Sequence, residues 1–253
     1  RQIVPNFTEQ TFSAKAFNML VTILKLYEVY RDKAIENNLK IISIEDFYVL
    51  SEQIFAYSIY YNEGNWSLPG ERTVKNIMEN RNGGDVPISK DRQILDSQIA
   101  NGTWGLYRGA AIRSGIIDSG GKALTVEFSS RLSLDSITDR AQKRIFEFIN
   151  EASKKGGTTL SFYNRSIIDT FCELFKLIGN NKKLLREYLI ELGEWKLKDI
   201  AVRFTDIEVE KFRIPIESCM SAFPQESYKF SDIIKCEDYL GTLESIFSYV
   251  LAN

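Results

Sequence analysis

Residues 12–37 read FSAKAFNMLVTILKLYEVYRDKAIEN, and this stretch decides the fold class. Its apolar side chains recur at intervals of three and four residues, a spacing that places them on one face of an α-helix. They are Phe12, Ala16, Met19, Leu20, Ile23, Tyr27 and Tyr30. The stretch therefore predicts a long and well-buried helix.

Helical periodicity continues along most of the chain. Ser43 and Asp46 resemble a capping box, and an apolar stripe runs from there to Tyr61. Further helices are predicted at about 71–80, 89–99, 103–114, 136–155, 162–179, 182–192, 196–202, 206–222 and 232–252. A β-hairpin is predicted around Ser119-Gly120-Gly121. The chain is therefore predicted to be all-α, with about nine or ten helices and one short β-hairpin.

A change of pattern at Gly156-Gly157 marks a candidate boundary between subdomains. Lys154 and Lys155 end the preceding helix with positive charge, and the glycines then stop it. This divides the chain into a helical subdomain at 1–155 and a C-terminal helical subdomain at 158–253. A single helical array fits the same pattern.

The charge of the chain is nearly balanced. Lysine and arginine number 32 against 34 aspartates and glutamates, which gives a formal net charge of −2. Such a chain has no overall field that attracts nucleic acid or an anionic membrane, so any such contact must come from a local patch. The abundance of Asn, Ile, Lys, Ser and Glu resembles the usage of AT-rich bacterial genomes.

The cysteines and the hydropathy indicate the cellular compartment of the protein. Cys172, Cys219 and Cys236 each lie in an apolar run, which is typical of buried thiols in a reducing compartment, so we expect a cytoplasmic protein. No apolar run approaches the roughly 20 residues that a membrane span needs, and we expect no membrane contact. The chain opens at Arg1 without an initiator Met, so we expect it to be part of a longer polypeptide.

The chain contains no histidine. This excludes nucleophiles activated by histidine, histidine-based nucleases and the usual zinc sites with a histidine ligand. Three scattered cysteines cannot supply a four-cysteine site either. We therefore predict no metal and no cofactor, and the chemistries left open use carboxylates with Mg²⁺ or Mn²⁺, lysine or tyrosine.

Residues 89–128 follow the order helix, short turn, helix and glycine-tipped hairpin. The phrases at 113–117 (RSGII) and 121–125 (GKALT) resemble the helix end and the wing of a winged-helix module. In that family the second helix enters the DNA major groove and the wing contacts the backbone. The resemblance implies that Tyr107, Arg108 and Arg113 lie near DNA, with Lys122 on the wing.

A second basic cluster follows in the helix after residue 136. Arg140 and Arg144 are four residues apart, hence on one helix face, and such a face can extend a stripe of phosphate contacts. The alternative is a solvated face in which Asp139 and Glu147 pair with the basic residues. The same alternative applies to Arg108 and Arg113, with the apolar residues around them forming core.

Three further features have competing interpretations. Glu194 and Lys196, with Asp169 or Asp206, match the letters of a metal-dependent nuclease, although a Glu-x-Lys triplet is common by chance. The crowded aromatics Tyr57, Tyr60 and Tyr61 are stacking platforms for bases or packing residues. The apolar face of the C-terminal helix, residues 236–251, is either a face that packs against an earlier helix or a docking surface for a protein partner or an adjacent domain.

The sequence leads to one hypothesis with two alternatives. We expect a non-catalytic module or subunit that contacts DNA within a larger bacterial assembly, in regulation, DNA processing or phage defence. The first alternative is a protein-binding helical scaffold, favoured by the balanced charge. The second is a phosphodiesterase dependent on Mg²⁺ or Mn²⁺.

Overall fold

A computed structural model describes residues 13–80, 85–134, 137–163, 165–176 and 179–191, together with residue 224. Several predictions concern residues outside these ranges. They are the helices at 196–202, 206–222 and 232–252, the apolar face at 236–251, and residues Glu194, Lys196, Asp206, Cys219 and Cys236.

Helices dominate the described part of the chain. They are α1 (Ala14–Glu36), α2 (Ile44–Glu63), α3 (Glu71–Glu79), α4 (Gln98–Asn101), α5 (Thr103–Arg113), α6 (Val126–Arg131), α7 (Asp139–Lys154), α8 (Arg165–Phe175) and α9 (Gly179–Arg186), and α9 runs on into a π-helical turn at Glu187–Glu191. Strands β1 (Asp85–Ile88) and β2 (Thr158–Ser161) form a small antiparallel sheet in which Asp85 pairs with Ser161. The predicted all-α class with one short β element is confirmed.

Helix α2 is the centre of the fold. Every residue from Phe47 to Ile59 is buried, so this helix has no solvent face over more than three turns. Helices α1, α3, α7 and α8 pack around it. The predicted cap at Ser43 is confirmed, since its Oγ accepts a hydrogen bond from the Asp46 N–H at 3.1 Å. Gly64 ends the helix with φ of 73°.

Helix α1 lies beside α2 and begins and ends close to the predicted bounds. Its first half is buried on nearly all sides, while its C-terminal turn is exposed. The end is a Schellman motif: the Leu39 N–H bonds the Ala34 carbonyl at 2.8 Å and the Asn38 N–H bonds the Ile35 carbonyl at 3.1 Å. Asn38 takes the left-handed position of this motif, with φ of 52°.

The prediction of a helix at 89–99 is wrong. Residues 89–97 are not helical, and the only helix there is the four-residue α4. The reason is that buried side chains bind the backbone. The amide of Gln53 bonds both the N–H and the carbonyl of Ser89, at 3.0 and 2.8 Å, and Gln98 Oε1 accepts from the Ile94 N–H at 3.2 Å. These bonds replace the ones that a helix would make.

The predicted glycine turn at 119–121 is present, but it is smaller than a full hairpin. Ile117 and Leu124 form one antiparallel bridge, and the Asp118 N–H bonds the Ala123 carbonyl at 2.9 Å. The second arm of the predicted hairpin ends at Leu124, because Thr125 caps helix α6 directly after it. The likeness to a winged helix is therefore confined to α5 and the turn that follows it.

The predicted boundary at Gly156-Gly157 lies inside a region of contact. The Ser89 hydroxyl donates a hydrogen bond to the Gly156 carbonyl at 2.8 Å, and β2, directly after the glycines, pairs with β1. Helix α8 packs on α2. The described residues on both sides of the glycines thus share one core, and the division of the whole chain into two subdomains stays a prediction.

Replacing Asn38 tests the Schellman end of α1. Asn38→Ala should lower the free energy of unfolding by about 1 kcal/mol, because an alanine Cβ is strained in the left-handed region. Asn38→Gly should leave it unchanged or raise it. Urea unfolding measures both, with Glu36→Ala on the last helical turn as control. Equal stability of the alanine and glycine variants would contradict the assignment.

Candidate nucleic-acid interface

Helix α5 has a buried face and an exposed face. The buried face carries Trp104, Tyr107, Ala110 and Ala111, and the exposed face carries Gly105, Arg108, Gly109 and Arg113. Tyr107 is only 2% exposed, its ring packs edge-on against Phe17 at 4.9 Å, and its hydroxyl oxygen accepts from the Ser13 N–H at 3.4 Å. Tyr107 is therefore a core residue, which corrects its placement near DNA.

The side chain of Arg108 reaches the glycine turn that carries Lys122. The side chain of Arg108 crosses the glycine turn so closely that a Cβ on Gly121 would lie 3.1 Å from Arg108 Cδ. Gly121 also has φ of 72°, which favours glycine. Lys122, the next residue, pairs through Nζ with Glu45 Oε1 at 2.6 Å, and this contact lowers the pKa of the Glu45 carboxyl. The side chain of Arg108 from α5 and the paired Lys122 thus meet at this turn.

Arg140 and Arg144 are exposed on α7, as predicted from their spacing. Arg144 Nη1 donates to Ser166 Oγ, 2.8 Å away at the start of α8. The acids beside these arginines bind lysines instead: Asp139 lies 3.5 Å from Lys33 and Glu147 lies 4.0 Å from Lys143. The ion-paired face considered as an alternative is therefore present for the lysines and not for the two arginines.

The contrast between lysines that pair with acids and arginines that do not extends to the whole predicted site. Within the described ranges, no carboxylate lies within 4.0 Å of the guanidinium of Arg108, Arg113, Arg140 or Arg144. Lys122, in contrast, is neutralised by Glu45. Four exposed arginines thus have no described carboxylate within ion-pair distance, in a chain whose total charge is nearly zero.

A buried carboxylate holds α5 in place. Glu52 of α2 is fully buried, and its Oε1 accepts hydrogen bonds from the Thr103 N–H at 2.9 Å and from the Thr103 hydroxyl. Its Oε2 accepts from Gln98 Nε2 at 2.7 Å. The residue before α5 is Gly102, which has no side chain to cap the helix, so Glu52 supplies the cap from another helix.

Gly102 is required by this arrangement. A Cβ at that position would lie 2.4 Å from the Gln98 carbonyl oxygen and 2.8 Å from Glu52 Oε2. Sequence reasoning did not single out Glu52. The signal that could have found it is its position as the one charged residue in FYVLSEQIFAYSIYY, residues 47–61, because a charge inside an apolar run needs buried partners.

Burial raises the pKa of Glu52, while its hydrogen bonds from Thr103 and Gln98 oppose that rise. No described cation lies within ion-pair distance of this carboxyl. Among the described residues, the hydrogen bonds from Thr103 and Gln98 therefore compensate for the lost hydration of the Glu52 carboxyl.

Two aromatic rings and one arginine lie in contact where α2 ends and α8 begins. Tyr61 stacks on Phe162 with ring centroids 4.6 Å apart, and the guanidinium of Arg165 lies 5.2 Å from the Tyr61 centroid. Tyr163 is 87% exposed. Of the tyrosines considered from the sequence, Tyr57 is fully buried and therefore packs the core, and Tyr61 lies at the rim.

Metal and membrane sites receive no support from the described residues. No three of their Cys, Asp and Glu side chains gather closely enough to hold a metal ion. Asp169 lies on α8, while Glu194 and Lys196 are outside the described ranges, so the phosphodiesterase interpretation stays a prediction. None of the described helices has the length and apolar character needed to cross a bilayer.

The raised pKa of Glu52 predicts a pH-dependent stability. A carboxyl with a raised native pKa stabilises the fold fully below its ordinary pKa of 4.5, and this contribution is lost as the pH rises through the native value. The free energy of unfolding of wild type minus that of Glu52→Gln should therefore decrease as the pH rises above 4.5.

Urea unfolding at several pH values measures this difference. Gln53→Ala is the matched control, since it removes a buried polar side chain from the same network without a titrating group. Its difference from wild type should not depend on pH. A pH-independent difference for Glu52→Gln would contradict the raised pKa.

Comparisons with known proteins add no assignment. No protein-family model matches the chain, and no curated protein or solved structure matches it either.

Proposed function

We propose that this chain is a non-catalytic module that contacts nucleic acid within a larger bacterial assembly. The observation that supports it most is that four exposed arginines have no described carboxylate within 4.0 Å of their guanidinium groups. They are Arg108, Arg113, Arg140 and Arg144. An arginine already paired with a carboxylate would have to give up that pair to bind phosphate. These four can bind phosphate oxygens at no such cost, through the fork of the guanidinium.

The contact is with the sugar-phosphate backbone more than with base edges. The exposed face of α5 offers two glycines and two arginines, which leaves few groups to read a sequence in the major groove. Phosphate contacts position a protein on nucleic acid without carrying sequence information. We therefore expect binding with little sequence preference and a strong dependence on salt.

Fluorescence anisotropy with a labelled mixed-sequence duplex tests this proposal. Wild type should bind at about 50 mM salt and lose most of its affinity by about 200 mM, because binding releases condensed counterions. The double variants Arg108→Ala/Arg113→Ala and Arg140→Ala/Arg144→Ala should each weaken binding. Each should also reduce the slope of log K against log salt by up to about 2, near 0.9 per lost phosphate contact.

The control removes the same charge elsewhere. Lys75 and Lys155 are exposed and paired with Glu79 and Glu151, so Lys75→Ala/Lys155→Ala changes the net charge equally without removing an unpaired cation. This variant should bind nearly as wild type. An equal loss in the control would show that total charge alone governs binding, and no binding at low salt would refute the proposal.

A second candidate is a protein-binding scaffold. It is favoured by the connection between α1 and α2, where Ile35, Leu39 and Ile41 are 58%, 57% and 37% exposed. Apolar side chains close together on a surface are typical of protein contacts. Ile35→Ser with Leu39→Ser should then abolish co-purification of a partner. If the arginine double variants also leave DNA affinity unchanged, the scaffold is chosen over the nucleic-acid module.

A further inference from the structure

The first turn of α2 is joined to the glycine turn after α5 by an ion pair. Glu45 is the second residue of α2, and its Oε1 lies 2.6 Å from Lys122 Nζ. Both side chains reach solvent, with 39% of the Glu45 side chain and 62% of the Lys122 side chain exposed. The pair is therefore a surface contact that a third charged group can reach.

The glycine turn also meets Arg108. A Cβ on Gly121 would lie 3.1 Å from Arg108 Cδ and 3.3 Å from Arg108 Nε, and Lys122 is the next residue of the turn. No described carboxylate lies within 4.0 Å of the Arg108 guanidinium. The turn thus brings together a guanidinium without a described acidic partner and an ammonium that has one.

The charge of Glu45 is favoured by its position. The N-terminal end of a helix carries the positive end of the helix dipole, which stabilises an anion there. The hydrogen bond from Lys122 lowers the pKa of the Glu45 carboxyl as well. Asp118, an acid of the turn itself, has a different role, since its Oδ1 accepts from the backbone N–H of Lys122 at 3.2 Å. Glu45 is therefore the anion that occupies the Lys122 ammonium.

A phosphate group of nucleic acid competes with Glu45 for this ammonium. An exposed ion pair contributes little to stability, because water solvates both partners well. A phosphate that binds a lysine releases a condensed counterion, and this release favours binding at low salt. As long as Glu45 holds Lys122, however, the lysine adds no phosphate contact to those of the arginines.

We infer that Glu45 is an autoinhibitory residue of the proposed nucleic-acid surface, because it occupies Lys122, which would otherwise bind phosphate together with Arg108. This inference rests on the proposed function and deepens it, since it adds a residue that lowers the affinity to the arginines that provide it.

Fluorescence anisotropy of Glu45→Gln with the mixed-sequence duplex tests the inference. The variant should bind about twofold to fivefold more tightly at low salt, a gain of the size of one exposed ion pair. The slope of log K against log salt should also steepen by about 0.9, because the freed Lys122 makes one more phosphate contact. Glutamine keeps the size of the side chain, and the cap of α2 by Ser43 is untouched.

A double variant identifies the cation that is freed. Glu45→Gln/Lys122→Ala removes both partners of the ion pair and leaves the net charge of the chain unchanged. It should bind as wild type, because Lys122 contributes no phosphate contact while Glu45 occupies it. A double variant that binds as tightly as Glu45→Gln would overturn the inference, since the gain would then not come from Lys122.

Glu79→Gln is the matched control. It frees Lys75, which lies 3.9 Å away on α3, and changes the net charge by the same amount. Glu79 accepts a hydrogen bond from Tyr60 of α2, which lies roughly 20 Å along that helix from Glu45 at about 1.5 Å per residue. The control should gain less affinity than Glu45→Gln and keep the wild-type salt slope. Equal gains in affinity and slope would show that total charge alone acts, against the inference.

The two proposals can fail separately. If the arginine double variants weaken binding while Glu45→Gln gains no more than Glu79→Gln, the autoinhibitory contact is refuted and the nucleic-acid module stands. If neither the wild-type protein nor Glu45→Gln binds the duplex at low salt, both are refuted.

Discussion

The burial of Glu52 is the constraint on which the candidate surface depends. Helix α2 has no solvent face around this residue, so its carboxylate must find hydrogen-bond donors inside the protein. It finds them at the start of α5, in the Thr103 N–H and hydroxyl, and in Gln98 of α4. These bonds require Gly102 between the two helices, and a Cβ on Gly105 would lie 1.9 Å from the Ala100 carbonyl oxygen. A buried acid and two glycines thus set the position of α5.

That position determines which residues of α5 meet solvent. With its first turn tied to Glu52 and with Tyr107 packed on Phe17, the helix directs Arg108 and Arg113 outward. Arg108 then crosses Gly121, which couples the helix to the turn that carries Lys122. The exposed arginines are therefore held by the core, and a change at Glu52 would displace them without touching the surface.

The sequence was sufficient where local signals dominate. The spacing of apolar residues predicted α1 and α2, and Ser43 predicted the start of α2, because both depend on neighbours a few residues away. The sequence predicted a helix at 89–97 wrongly, because Gln53 binds the backbone of Ser89 from 36 positions earlier in the chain. The pairing of β1 with β2 is more remote still, since it joins residues 85–88 to residues 158–161. Tyr107 was misplaced because α5 contains two glycines and two alanines, so its apolar periodicity is weak.

On the proposed function, Arg108, Arg113, Arg140 and Arg144 are the groups through which a chain of balanced charge would bind a polyanion. The acids near them bind lysines, as at Asp139, Glu147 and Glu45, so negative charge is neutralised locally while the arginines remain positive. Such a surface attracts phosphate only at short range, since the net field of the chain is weak and salt screens it within about 8 Å. Binding by this chain alone should then be modest, and high affinity would need further contacts from neighbouring subunits. A balanced net charge with local arginine contacts therefore fits a module of an assembly better than it fits an autonomous DNA-binding protein.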